Sequence, residues 1–324
     1  MMKTFDEVST LIKEGRLLQI AGNDDLLRKL PKGDWIGGST EYFMPAEGGI
    51  ISDTLLFVTE FTKEQFTIST YGVDTINQVA VEAYDSGYSI LIMPFGSEVS
   101  MEYALNAPEY EGMYIKNIVG WVSGVRLEVI GQPEHPPIVV NGATGEVFTD
   151  KAVVLHLQVP ESKAVSINII NIFNTDKNTS AITFDYGGTI VSTCHVDGKE
   201  VTFADYIKQN DFDTRLPIIT DCFGVGLNIE IVSINDDGTV QLGAPVFPNT
   251  KYYPAEKIDD YETTFNNAIM KLKNVESVFA CNCLSNFLHG GLEGKKLKSL
   301  FGPVVFGEIA YQKLSQTLVY VTLE

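Results

Sequence analysis

Apolar residues fall at helical spacing at the start of the chain. Phe5, Val8, Leu11 and Ile12 predict one amphipathic helix, and residues 24–30 predict a second, short one ended by Pro31. The period then shortens. Residues 35–40 (Trp-Ile-Gly-Gly-Ser-Thr) read as a strand entering a glycine turn, residues 55–61 as a mostly apolar strand and residues 66–70 as a half-buried one. In residues 74–84, Ile76, Val79, Ala80, Ala83 and Tyr84 share one helical face, with Asp74 placed as an N-cap. A buried strand over residues 89–93 and a helix over 97–106, stopped by Pro108, continue the alternation.

From Gly120 onward strands dominate. Residues 153–159 alternate, with Leu155, Leu157 and Val159 on one face and His156 and Gln158 on the other, polar, face. Residues 167–173, 181–184, 190–193, 227–233 and 239–242 continue the series, with hairpin turns at Asp197-Gly198 and Asp237-Gly238. A long helix follows over residues 258–272, where Ile258, Tyr261, Phe265, Ala268, Ile269 and Leu272 make one apolar stripe. Asp259 and Asp260 suit its N-terminal end, and Lys271 and Lys273 its C-terminal end. It leads into a strand over 275–280, which puts Cys281 and Cys283 at a strand tip, where sheets expose functional groups. These elements predict an α+β fold of mixed, largely antiparallel sheets covered by helices. Its two halves, 1–203 and 204–324, pack together, and α/β/β/α layering is one such arrangement. No exact internal repeat and no low-complexity linker interrupts the chain.

The 324 residues are 44% hydrophobic and 20% charged, enough for a sizeable core. A formal net charge of −19 makes nucleic acid and anionic membrane surfaces poor partners. The absence of a spanning apolar run and of a signal-type N-terminal segment predicts a cytoplasmic location, where Cys194, Cys222, Cys281 and Cys283 would be reduced thiols. Cys281, Cys283 and His289 fall one ligand short of a structural zinc site, so no metal or other cofactor is expected.

No nucleophile elbow or zinc-protease helix is present, the Gly290–Lys296 stretch lacks phosphate-loop spacing, and Gly224-Val-Gly226 lacks the third glycine of a dinucleotide loop. His135 lies between prolines, His156 on a strand, His195 beside Cys194, and only His289 follows the cysteine pair. Two clusters combine glycines with polar side chains and apolar walls, as a small-molecule site requires. One is Gly37, Gly38, Ser39, Thr40 and Glu41. The other is Cys281, Asn282, Ser285, Asn286, Gly307 and Glu308. Glu308 sits between Phe306 and Ile309, where a buried carboxylate needs a partner, and a ligand amine could be that partner. The other reading of the second cluster is a thiol-dependent enzyme using Cys281 or Cys283.

Several segments resemble the FIST family of intracellular sensory domains. Residues 35–42, the Gly48-Gly49 pair and the strand near Leu55 look like that family's N-terminal segment, and Val139-Val-Asn-Gly142 with residues 152–155 like its central stretch. Residues 279–281, 304–309 and Ser315-Gln-Thr317 look like its C-terminal half. The resemblance implies a non-catalytic protein that binds a small polar metabolite, such as an amino acid, for signalling. The signal would pass through a separate partner protein.

Overall fold

In the computed structural model the apolar strands assemble into three six-stranded sheets, and each sheet is built on the same plan. All residues are described except Phe223, Gly224, Lys273 and Asn274, with backbone alone at Cys222 and Val225, so the readings of Gly224, Lys273 and the Cys222 thiol lie outside the described residues. The first module runs β1 (Met2–Lys3), α1 (Phe5–Lys13), β2 (Leu17–Gly22), α2 (Asp24–Leu27), β3 (Trp35–Ser39), β4 (Tyr42–Met44), β5 (Ile50–Ile51) and β6 (Leu56–Phe61). The second runs β7 (Phe66–Tyr71), β8 (Gly87–Pro94), α3 (Glu98–Asn106), β9 (Asn117–Ser123), β10 (Val139–Asn141), β11 (Glu146–Phe148) and β12 (Ala152–Gln158).

The third module starts with β13 (Val165–Ile170) and is interrupted by an insert. Nine short strands, β14 (Ile182–Thr183) to β22 (Tyr253–Pro254), and α4 (Phe203–Gln209) surround a separate core of Phe184, Phe203, Ile218, Val240 and Tyr252. The module then resumes with α5 (Tyr261–Met270), β23 (Phe279–Cys283), α6 (Leu284–His289), β24 (Gly302–Val305), β25 (Glu308–Ala310), β26 (Gln312–Leu314) and β27 (Leu318–Leu323).

In every module a helix joins two parallel strands, β2 with β3, β8 with β9 and β23 with β24. A later strand returns antiparallel to the first of the pair: β6, β12 and β27. The intervening hairpin leaves its own module and pairs with a neighbour. Thus β4 joins β24, β10 joins β3 and β25 joins β9. This threefold internal repeat carries no sequence repeat, because a sheet position constrains side-chain size and polarity rather than identity. Strands from both sides of residue 203 therefore share sheets.

The inner faces of the three sheets meet in one core that includes Ile36, Phe57, Ile92, Trp121, Phe279 and Val319. Burying each such large side chain stabilises the fold by about 1.5–3 kcal/mol. The outer faces are covered by helices. Val8 and Ile12 of α1 pack with Leu18, Ile20 and Trp35; Tyr103 of α3 packs with Leu91 and Ile118; Phe265 and Ile269 of α5 pack with Ala280 and Leu318. Helix α1 begins in a capping box, with Thr4 accepting from the Glu7 amide and the Glu7 carboxylate accepting from the Thr4 amide, while the Asp260 side chain caps α5.

Some expectations need correction. Residues 74–84 form a 3-10 turn at Ile76–Gln78 among other turns, not an α-helix. Ile76, Val79 and Ala80 are buried as the periodicity requires, but Thr75 gives no side-chain N-cap bond, and the run contains several poor helix formers. Strand β12 has no polar face, since its sheet is covered on both sides. His156 is fully buried and satisfied by the Ser89 hydroxyl at 2.7 Å and the Tyr71 hydroxyl at 3.0 Å, and burial lowers its pKa to about 4. The expected strand over 227–233 breaks at Glu230 into β19 (Val225–Ile229) and β20 (Ile231–Ile234), which belong to different sheets. Among the described residues no helix is long and apolar enough to cross a membrane.

Candidate functional site

The carboxyl ends of a parallel strand pair open a crevice, and in the third module the insert closes over it. The result is a cleft of about 310 Å³ at the ends of β23 and β24. Phe95, Leu127, Ile130, Leu288 and Phe306 form its apolar walls, and Cys283, Ser285, Arg215, Glu230 and Ser315 its polar surface. Gly307 lines it too, with φ at +146°, a conformation few side chains adopt, and a Cβ there would lie 3.1 Å from Lys313 Cε.

Glu308, the next residue, is 0% exposed. Its Oε2 accepts hydrogen bonds from the Thr317 amide at 3.0 Å and hydroxyl at 2.7 Å and the Cys283 thiol is close enough to favour the charged form, while Oε1 accepts no bond of full hydrogen-bond geometry from the described residues. The turn that supplies Thr317 is itself held in place. Ser315 Oγ donates to Asn228 O, Asn228 Nδ2 donates to Ser315 O, and Gln316 Nε2 donates to Arg215 O at 2.8 Å. Gln316 sits at φ 52°, a strained value for a buried non-glycine residue, and its Oε1 is unpartnered as well.

Five further ionisable groups surround Glu308: Lys313, Glu230, Cys281, Cys283 and Tyr261. Burial pushes the Glu308 carboxyl up to about 8, outweighing the Thr317 bonds that favour its charged form. Burial lowers the Lys313 ammonium to about 8 against the supporting fields of Glu308 and Glu230. Glu230, on the cleft wall, is also raised by burial, and the Ser285 hydroxyl bonded to its Oε1 and the charge of Lys313 oppose that shift. The thiols of Cys281 and Cys283 are pushed well up, first by burial and then by the nearby carboxyl groups, so neither is poised as a thiolate. None of the ion pairs formed by the described residues involves Glu308, Glu230 or Lys313.

The second sequence cluster is thus only partly brought together. Gly307 and Ser285 line the cleft and Glu308 is buried one residue behind Gly307, outside the lining itself, but Cys281 is mid-strand rather than at a tip, faces the central core and donates to Gly120 O at 3.5 Å. Asn282 turns toward the helices, where its Oδ1 accepts from Asn286 Nδ2, and Asn286 in turn accepts from the Tyr261 hydroxyl. The Gly37–Glu41 cluster lies elsewhere, at the matching strand ends of the first module. Gly37 and Gly38 are packing residues, since a Cβ would come within 2.8 Å of Ile20 O at the former and within 2.7 Å of Ile92 at the latter. Ser39 Oγ accepts from the Ile138 amide, Thr40 Oγ1 donates to Val304 O at 2.7 Å, and Glu41 accepts from both Asn23 Nδ2 and Arg126 Nε at 2.6 Å. Beside these bonds lie a hollow of about 40 Å³ and a wider surface depression of about 560 Å³ bordered by Asn23, Glu41, Arg126, Glu134 and His135.

Glu230, Lys313, Cys283 and Thr317, with the cleft-lining Arg215, His289 and Ser315, are polar site residues that the two sequence clusters omit. The available signals were the charged residue between Ile229 and Ile231 and the lysine in an otherwise half-buried hairpin strand. Among the described residues no group of histidine, cysteine and acidic side chains is placed to hold a metal. No curated protein matches the chain. One family does match, over residues 3–324, and its description reads family of unknown function (DUF6976). The protein belongs to that family.

Proposed function

We propose that this is a small-molecule-binding protein whose cleft takes a ligand with an apolar body and an amine, a small amino acid or related metabolite being the simplest case. The observation that carries this reading is the partnerless Oε1 of fully buried Glu308, one residue behind the cleft-lining Gly307. A buried acceptor left open costs about 1–3 kcal/mol, which a ligand donor would recover. Phe95, Phe306 and Leu127 would hold the apolar body, and Glu230 supplies a second carboxylate toward the amine. The resemblance to FIST sensory domains supports a cytoplasmic signalling role, with the signal passed to a separate protein and no reaction performed on the ligand.

The test is a thermal-shift and calorimetric screen of amino acids and alkylamines against the wild type and Glu308→Gln. The variant keeps the shape of the side chain and removes its capacity for charge. Ammonium ligands should raise the melting temperature of the wild type and bind the variant at least tenfold more weakly. A ligand that binds both proteins equally would place the recognition elsewhere.

A further inference from the structure

The groups packed around Glu308 determine how a cation could enter. Cys283 and Cys281 approach it from β23, Lys313 from β26, Tyr261 from α5 and Glu230 from the insert, while Thr317 supplies its hydrogen bonds. Of these only Lys313 is cationic, and it lies outside ion-pair distance, its Nζ placed over the Phe95 ring at 6.0 Å. An ionised carboxylate in that setting would be desolvated and next to a second carboxylate, so the unliganded site favours the neutral acid. The neutral acid offers Oε1 as a hydroxyl. An incoming ammonium, with three donors and no acceptor, needs the anion instead.

Resting on the proposed ligand class, we infer that the cleft is a cation-for-proton exchanger: an alkylammonium group binds as the Glu308 carboxyl ionises and one proton leaves to solvent. The O–H bond of Glu308 breaks, no other bond changes, and total charge is conserved between the bound ammonium and the released proton. The raised carboxyl pKa agrees with this direction of transfer. Affinity for an ammonium should then rise with pH up to the point at which free Glu308 ionises, whereas affinity for a neutral ligand of the same shape should not follow that trend.

The experiment is isothermal titration of the whole protein with n-pentylamine and with n-pentanol at neutral pH, each in buffers of low and high ionisation enthalpy. We expect close to one proton released per pentylammonium bound and none per pentanol. Lys313→Met should retain the release, and Glu308→Gln should abolish it. Pentylamine binding without buffer dependence would overturn the exchange and leave the ligand class standing. Loss of proton release in Lys313→Met would also overturn it, by assigning the proton to the lysine. Failure of pentylamine to bind at all would remove the ligand class and the exchange together.

Discussion

Glu41 and Glu308 occupy corresponding places in two modules, each where the second parallel strand gives way to the hairpin that crosses to a neighbouring sheet. Around Glu41 the frame is completed from within. Arg126 and Asn23 each donate to a separate carboxylate oxygen, so neither oxygen is left open toward the hollows of about 40 and 560 Å³ that Glu41 borders. Around Glu308 one oxygen is satisfied, the other is not, and the neighbouring cleft is about 310 Å³. A repeated backbone can thus use the same residue type as a structural tie in one copy and leave it open in another. The environment decides which.

Removing the tie should have the largest effect. Arg126→Ala leaves the nearly buried Glu41 with one donor fewer, and we expect a loss of about 2 kcal/mol in urea unfolding, with amine binding in the other module unchanged. An equal loss of binding would mean that the two junctions are coupled. Gly307→Ala should cost about 1–2 kcal/mol, because its φ of +146° is unfavourable for alanine, and should also narrow the cleft.

The pH dependence of stability separates the groups at the open junction. Glu308 goes from an ordinary value of 4.5 to about 8 on folding, so the folded state holds more protons in that interval, and its contribution is full below 4.5 and lost as pH rises through 8. Lys313 falls from 10.5 to about 8, so its contribution is present above 10.5 and lost as pH falls through 8. Compared with wild type, Glu308→Gln should flatten the falling limb between 4.5 and 8, and Lys313→Met the rising limb between 8 and 10.5. Melting temperatures across this range measure both. No difference between either variant and wild type would show that the buried charges are already compensated. The smallest effect is expected from chelation. With Cys281 in the core and no metal-ligand cluster among the described residues, EDTA should leave the melting temperature unchanged.

Much of the framework was legible in the sequence, because buried strands and amphipathic helices carry their period in local side chains. Phe265 and Ile269 fell on the stripe that packs under α5, and Gly307-Glu308 was marked as an apolar-flanked carboxylate. Local period could not say which strand pairs with which. The hairpin exchange and the threefold plan rest on pairings between residues far apart, such as Glu308 with Trp121 and Gly302 with Met44. The same limit hid Glu230, which meets Glu308 only after the insert has folded over the third module, whereas Lys313 sits on the strand paired with that of Glu308. Cys281 was misplaced for a different reason. The strand extends to Cys283, three residues beyond its expected end, and alternation then turns Cys281 inward.

The exchanged hairpins also set the order in which the chain can be completed. The second sheet draws β7, β8, β9 and β12 from residues 66–158, yet β9 lacks a partner on one side until β25 arrives from residues 308–310. A nascent chain must keep that strand edge open while about 150 further residues are made, at roughly 5–20 residues per second. Such distant closures slow folding and leave an unpaired edge available to other chains during synthesis. The protein should therefore refold slowly from denaturant, and its yield should depend more on chaperone supply than its native stability would suggest.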